Sequence, residues 1–346
     1  MTGKSRYSGT RLAESSRRLL ETHLPPGWSA VLPGSGPGGP GECPLELRSP
    51  DKKVARLDLR CRSQVFPRDV IDLKEKGRTA TVLVAPFLSV ATQRRLRELG
   101  LNYLDLTGNV RLAVGRPGLF IETVGATKDP APAPGARRSL KGPKAGRLVR
   151  TLCEFPPPFT LSELATRAAI DGGYASRLVT WLAREDLLTR RPRGPIDAVD
   201  IVGLIRRWAD DYQVLSSNVV ASFLDARGIS NLTQRLPQLG VRYAVTGSLA
   251  ASLLAPVAPP RLAMVYVAAV EPVVEALKLR PADAGINVML LLPFDEIVFE
   301  RTSQVQGLTL AAPSQVAADL LGSPGRGPNE AEAVLQSIAP ASHVRS

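Results

Sequence analysis

The 346-residue sequence predicts a multidomain α/β protein built from three folded blocks. Three observations support this fold class. Strand patterns alternate with helix patterns over residues 1–127 and again over 213–340. Between them, residues 145–212 carry short helical patterns followed by a hairpin pattern. The segment 128–144 is rich in Pro, Ala, Gly and basic residues, which predicts a semi-rigid linker.

Composition excludes several classes of protein. Hydrophobic content of 44% and charged content of 22% are globular values. The 3 cysteines lack the spacing of a metal or redox site, and both histidines lie near the termini, so we expect no cofactor and no bound metal. The basic, polar start does not resemble a signal peptide, and no run of 18 apolar residues occurs. We therefore expect a cytoplasmic chain without a membrane partner.

The net charge of +12 is concentrated in the first two thirds of the chain. Residues 1–129 have 21 basic and 13 acidic side chains (+8), and residues 130–212 have 14 and 9 (+5). Residues 213–346 have 9 and 10 (−1). Such a distribution is typical of a surface that binds a polyanion, and a solvated basic surface is the alternative interpretation.

The first block has the strand and helix order of an α/β domain. Its helix pattern covers Ser89–Gly100, with Ala91, Leu96 and Leu99 towards the core. The strand patterns cover Val54–Cys61, Thr79–Phe87, Leu101–Gly108, Val110–Gly115 and Leu119–Gly125.

This block resembles the PD-(D/E)xK nuclease fold, whose metal site needs one acidic residue on a strand and an acidic-x-Lys on the next. In the best local match, LDLRCRSQVFPRDV, Arg60 and Arg62 stand where Glu and Lys would be. The upstream acidic position falls near Ser29, and whether Asp58 shares a face with the arginines stays open. We therefore predict a degenerate nuclease domain.

The middle block has the element order of a winged helix-turn-helix. A first helix, GRLVRTLCE, ends before three prolines, and Thr160 and Glu163 form a capping box for a second helix, LSELATRAAI. Asp171-Gly172-Gly173 predicts a short turn before a third helix, GYASRLVTWLARED. The segment LLTRRPRGPIDAVDI then predicts a hairpin, the wing, and IVGLIRRWADDY a closing helix.

The third helix divides into two faces at 100° per residue. One face is apolar and consists of Ala175, Leu178, Val179 and Leu182, and Trp181 lies at its border. The other face suits the major groove, because Arg can bind guanine and hydroxyls can bind phosphate. A helical linker domain with a solvated basic face is the alternative. With the wing, the predicted DNA-binding residues are Tyr174, Ser176, Arg177, Thr180, Arg184, Arg190, Arg191 and Arg193.

The third block begins like a nucleotidyltransferase, with a strand followed by Gly247-Ser248 and a helix pattern. Gly247 and Ser248 are the candidate ligand turn, because such a turn presents N–H groups and a hydroxyl to phosphates. Phosphoryl transfer also needs carboxylates that hold Mg²⁺. No Asp or Glu occurs from Leu249 to Val270, so we predict a nucleotidyltransferase-like domain without catalysis.

Three stretches together resemble the AbiE-type antitoxins of type IV toxin–antitoxin systems. They are LNYLDLTGNVRL, LSELATRAAIDGGYASRLVTWLAREDLLTR, and YAVTGSLAASLLAPVAPP with SPGRGPNEAEAVL. The resemblance implies a transcriptional regulator that binds double-stranded DNA, with a cognate toxin as a further partner. The enzyme-like domains would then serve dimerisation, as in a homodimer, or ligand sensing. The alternative is a metal-dependent nuclease or nucleotidyltransferase with migrated carboxylates.

Overall fold

The structure is a computed structural model that describes residues 9–33, 42–71, 81–131, 139–191 and 194–342. Contacts within the chain divide it into two compact units. The first comprises Met1–Arg137 with Arg184–Asp186, and the second comprises Arg138–Ala183 with Leu187–Ser346. In the part of the chain described, no helix is long and apolar enough to cross a membrane.

In the first unit, the described residues form a seven-stranded sheet in chain order. Helix α1 (Gly9–His23) precedes the sheet, and α2 (Val90–Glu98) connects β4 to β5. Strands β3, β4 and β5 are parallel, and the other neighbours are antiparallel. The strands are β1 (Ser29–Val31), β2 (Glu42–Arg48), β3 (Val54–Cys61), β4 (Thr81–Ala85), β5 (Asn102–Asp105), β6 (Val110–Val114) and β7 (Leu119–Thr123).

The alternating sequence of β3 buries one face of the sheet. Leu57 and Leu59 pack in a core with Leu12 and Leu20 of α1. The sequence analysis did not predict α1, β1 or β2. Helix α1 buries Leu12, Ser16 and Leu20 at a spacing of four residues, a helical pattern that the sequence analysis missed. Strand β1 has three residues, too few for a periodic pattern.

The motif LDLTGN closes the turn between β5 and β6 around one buried carboxylate. Asp105 has no exposed surface. Its side chain accepts hydrogen bonds from the backbone N–H groups of Leu88 (2.9 Å), Thr107 (2.8 Å) and Asn109 (3.2 Å). The Thr107 hydroxyl (2.7 Å) and the Asn109 amide (2.8 Å) donate to it as well. These residues therefore stabilise the turn.

The second unit begins with four helices and a hairpin. Helix α3 (Pro143–Glu154) is followed by α4 (Leu161–Arg167), α5 (Gly172–Arg184), β8 (Leu188–Arg190), β9 (Ile196–Val199) and α6 (Ile201–Ala209). The capping box at the start of α4 is present, since Thr160 accepts from the Glu163 N–H and the Glu163 carboxylate accepts from the Thr160 N–H. Phe159 forms a single antiparallel bridge with Ile196 of β9.

Two expectations about this region need correction. Gly172 and Gly173 form the first turn of α5 rather than a separate turn, because the Asp171 carboxylate accepts from the Tyr174 N–H and caps the helix there. The end of the predicted linker, from 139 to 144, belongs to the second unit. Leu140 is fully buried and its N–H donates to Asp211 at 2.8 Å. Residues 132–138 lie outside the described ranges.

The rest of the second unit is a seven-stranded mixed sheet, among the residues described, with helices packed on it. The strand order is β13-β10-β14-β12-β11-β16-β15. The strands are β10 (Val219–Leu224), β11 (Tyr243–Thr246), β12 (Ala263–Val267), β13 (Arg280–Pro281), β14 (Val288–Leu292), β15 (Ser303–Val305) and β16 (Leu308–Leu310). The helices are α7 (Val214–Ser217), α8 (Ile229–Arg235), α9 (Gly247–Leu254), α10 (Glu271–Leu277), α11 (Pro313–Leu321) and α12 (Gly327–Ser342).

One hydrophobic core joins the ranges 145–212 and 213–340, which the sequence analysis treated as separate domains. Polar contacts reinforce this junction. Arg147 on α3 pairs with Asp295 at 2.9 Å. Arg150, 1% exposed, pairs with Glu154 at 2.8 Å and donates to the backbone carbonyls of Ile297 and of Glu300 (3.0 Å). The helices and the sheet therefore form one unit.

Candidate nucleic-acid interface

The two faces of α5 differ in burial. The predicted apolar face is inside, with Ala175, Leu178, Val179 and Leu182 at most 2% exposed. Arg177, Thr180 and Arg184 are exposed, whereas Tyr174 and Ser176 are half-buried. The Thr180 hydroxyl donates to the Ser176 carbonyl at 2.7 Å, which leaves its lone pairs available as acceptors. The exposed face of α5 therefore presents two guanidinium groups and a hydroxyl.

The start of α5 is fixed by charged side chains. One oxygen of Asp171 accepts from the Tyr174 N–H at 2.7 Å, and the other pairs with Lys144 Nζ of α3 at 3.1 Å. Lys144 Nζ also lies 6.0 Å from the centre of the Tyr174 ring. The N–H and the ammonium group both lower the pKa of Asp171, so its carboxyl group is ionised at neutral pH. Lys144 was not among the predicted site residues.

The hairpin arginines make contacts within the hairpin. Arg190 Nε donates to the Gly194 carbonyl at 3.0 Å. Arg191 forms two bonds of 3.1 Å with the Asp197 carboxylate, and these hydrogen bonds raise the pKa of the Arg191 guanidinium. Arg193 lies outside the described residues. Asp197 was not predicted as part of this surface.

Trp181, whose position the sequence left open, is 8% exposed. The Arg207 guanidinium of α6 lies 5.2 Å from its ring centre. Trp181 therefore packs in the junction between α5 and α6 and contributes to the core.

The Glu330 side chain of α12 contacts the Gly247-Ser248 turn. Gly247 has φ +62°, and a Cβ there would lie 2.9 Å from Met264 Sδ, so only glycine fits. The Ser248 hydroxyl donates to the Glu330 carboxylate of α12 at 2.5 Å, and Glu330 is 3% exposed. On β12, where metal-binding carboxylates were sought, Ala263 and Met264 are buried and apolar.

The sequence analysis missed a buried polar cluster around Asp319 on α11. Its carboxylate accepts from Thr246 (2.5 Å), Gln315 (2.8 Å), Tyr266 (2.9 Å) and Tyr212 (3.0 Å). Burial raises the pKa of Asp319 to about 6, although the four donors lower it, and burial raises the pKa of both tyrosines. The cluster connects the end of α6 to β11, β12 and α11. The only sequence signal was one aspartate in the apolar run QVAADLL.

In the first unit, strand alternation places Asp58 on the same face of β3 as Arg60, which answers the question the sequence left open. Asp58 is exposed and Arg60 half-buried. Ser29 on β1 is exposed. Over the ranges that the structure describes, no group of three or more His, Cys, Asp or Glu side chains could hold a metal ion.

Comparison with protein families identifies a class of protein for part of the chain. Residues 199–339, which are 141 of the 346, match the family described as "Transcriptional regulator, AbiEi antitoxin, Type IV TA system". The match supports the AbiE resemblance and a regulatory role. It begins just before α6 and extends through the second sheet to α12.

Comparisons with individual proteins add little. No curated protein matches the chain. A solved structure titled "Structure of EndoMS in apo form" is 24% identical over 29% of this chain and 46% of that chain, with a TM-score of 0.21. A likeness at that TM-score assigns no fold and no activity.

Proposed function

We propose that the chain is a transcriptional regulator that binds double-stranded DNA through a winged helix-turn-helix formed by α3 to α6 with the β8–β9 hairpin. Helix α4, the turn at Asp171 and α5 have the order of a helix-turn-helix, and the hairpin follows as a wing. The exposed face of α5, with Arg177, Thr180 and Arg184, carries the proposal, because this is the face that would enter the major groove.

Charge supports the same assignment. The range 137–193 contains 12 basic and 5 acidic residues (net +7), and a positive surface attracts the phosphate backbone. The eight predicted DNA-binding residues lie on α5 and the hairpin, apart from Arg193 outside the described ranges. The family that matches residues 199–339 is described as a transcriptional regulator, which supports regulation as the purpose of binding.

The enzyme-like blocks are proposed as inactive domains. The apolar face of β12 and the Ser248–Glu330 contact support inactivity of the C-terminal block. The arginines where a nuclease needs Glu and Lys support it for the first block. The matched family is described as an antitoxin, so we also propose a cognate toxin as a protein partner. A homodimer stays a prediction of the sequence analysis.

The decisive experiment is a mobility-shift assay of the full chain on the duplex upstream of its own gene, with and without Mg²⁺. We expect retained, intact DNA in both conditions. DNA that is cut or extended only with Mg²⁺ would instead support the nuclease or nucleotidyltransferase alternative, and the absence of any complex at low salt would contradict DNA binding.

A further inference from the structure

Two exposed ion pairs lie on the elements proposed to contact DNA. Lys144 of α3 pairs with Asp171 at the start of α5 at 3.1 Å, and these side chains are 61% and 54% exposed. Arg191 pairs with Asp197 across the hairpin at 3.1 Å, and these are 72% and 32% exposed. Helix and hairpin therefore share one feature: a cation next to the proposed interface is neutralised by a carboxylate of the same protein.

Exposed ion pairs contribute little stability, typically about 0–1 kcal/mol. Apart from the cap that Asp171 forms on α5, a role in folding explains these two pairs poorly. The two pairs do change the electrostatic interaction between this surface and DNA. A lysine or arginine bound to a carboxylate releases fewer counterions when it meets a phosphate, and the carboxylate itself repels the phosphate.

We propose that Asp171 and Asp197 limit the affinity of this surface for DNA phosphates by neutralising Lys144 and Arg191. This inference rests on the proposed DNA binding by α5 and the hairpin. Binding to random sequence depends almost wholly on phosphate contacts, whereas a preferred site adds contacts to base edges. Both kinds of binding use the phosphate contacts, so weakening those contacts lowers the affinity for random DNA and for a preferred site by a similar factor.

The test uses the full chain with Asp171→Asn, Asp197→Asn and the double substitution. Asparagine keeps a side-chain oxygen that can accept the Tyr174 N–H, so the cap on α5 is retained while the charge is removed. Affinity is measured by fluorescence anisotropy on random duplex and on the preferred site, between 50 and 200 mM salt.

Each freed cation that contacts a phosphate should steepen the slope of log affinity against log salt by about 0.9. Between 50 and 200 mM salt, this corresponds to an additional loss of affinity of about threefold. We expect each single variant to bind random duplex more tightly than the wild type at 50 mM salt, and the double variant to bind it most tightly. The affinity for the preferred site should rise in the same order, so the ratio of specific to random affinity should stay close to that of the wild type.

Glu332→Gln is the matched control. Glu332 of α12 forms a bidentate pair with Arg206 of α6 at 2.5 and 2.6 Å, and both side chains are 43% exposed. This variant adds the same single charge outside α5 and the hairpin, so the salt slope should not change.

The outcomes separate the two proposals. If the wild type binds duplex but the double variant keeps the wild-type salt slope and affinity, this inference is wrong and DNA binding stands. If Glu332→Gln steepens the slope equally, net charge explains the effect, and the inference is likewise overturned. If the wild type binds no duplex, the proposed function fails together with this inference.

Discussion

The Ser248 hydroxyl donates a 2.5 Å hydrogen bond to Glu330, 82 residues further along the chain. Ser248 lies in the first turn of α9, where a nucleotidyltransferase-like turn would present donors to a phosphate. A buried carboxylate already holds that hydroxyl, and a phosphate beside Glu330 would meet a like charge. The relationship is a physical reason against nucleotide binding at this turn, although the strand, the Gly-Ser pair and the helix are present as the sequence predicts.

We therefore expect the wild-type protein neither to bind nor to transfer nucleotides. Nucleoside triphosphates with Mg²⁺ should leave its melting temperature unchanged, and labelled triphosphates with RNA acceptors should give no product. Ser248→Ala separates structure from catalysis, because it removes the hydroxyl that donates to the buried Glu330 carboxylate and should destabilise the fold by about 1–3 kcal/mol. If the wild type shows turnover and Ser248→Ala abolishes it, this prediction is wrong.

Asp319 should make stability depend on pH. Its pKa is about 6 in the folded protein and 3.8 ordinarily, so between these values the folded state holds a proton that the unfolded state has lost. The stabilisation is complete below 3.8 and is lost as the pH rises through 6. This difference of about two units in the pKa of Asp319 corresponds to about 3 kcal/mol of unfolding free energy.

The measurement is urea unfolding of wild type and Asp319→Asn from pH 4 to 8. Because Asn does not titrate, the stability of the wild type relative to this variant should fall by about 3 kcal/mol as the pH rises. Asp283→Asn, which replaces an exposed aspartate, controls for the loss of one carboxylate. A constant difference between wild type and Asp319→Asn over this range would show that Asp319 does not titrate there.

The sequence analysis predicted much of the fold from local patterns. It missed the contacts between residues that lie far apart in the sequence. Strand β3 and the capping box at Thr160 follow from neighbouring residues, since period-two burial and N-cap chemistry act within a few positions. The partners of Asp319 and Ser248 could not be predicted, because Thr246 is 73 residues from Asp319 and Glu330 is 82 from Ser248. The glycine pair at 172–173 was misjudged because the Asp171 cap outweighs the low helix propensity of glycine.

Asp105 should be essential to the stability of the first unit. Asp105→Ala removes the acceptor for three backbone N–H groups, and each buried donor left unsatisfied costs about 1–3 kcal/mol. Hydrogen exchange should rise in β5 and β6 while the second unit stays protected. Asp69→Ala, which removes an exposed carboxylate that accepts from the Phe66 N–H, is the control and should have a small effect. Unchanged exchange in Asp105→Ala would contradict the prediction.

Arg177 should carry sequence discrimination. It is exposed one turn into α5, where a guanidinium can bind the O6 and N7 atoms of guanine. Arg177→Ala should cost about 1–3 kcal/mol on the preferred site and much less on random duplex. Fluorescence anisotropy on both duplexes gives the comparison. Arg191→Ala on the hairpin should instead weaken both to a similar degree, since a phosphate contact is the same in every sequence.

Leu178→Ala is the structural control for Arg177→Ala. Leu178 is 2% exposed in the core under α5, so its truncation should cost about 2–5 kcal/mol of stability, whereas neither arginine substitution should lower the melting temperature. Circular dichroism melts show whether each variant stays folded before DNA binding is compared. If Arg177→Ala stays folded and weakens both duplexes equally, Arg177 contacts phosphate, and base readout must come from another residue on the exposed face of α5.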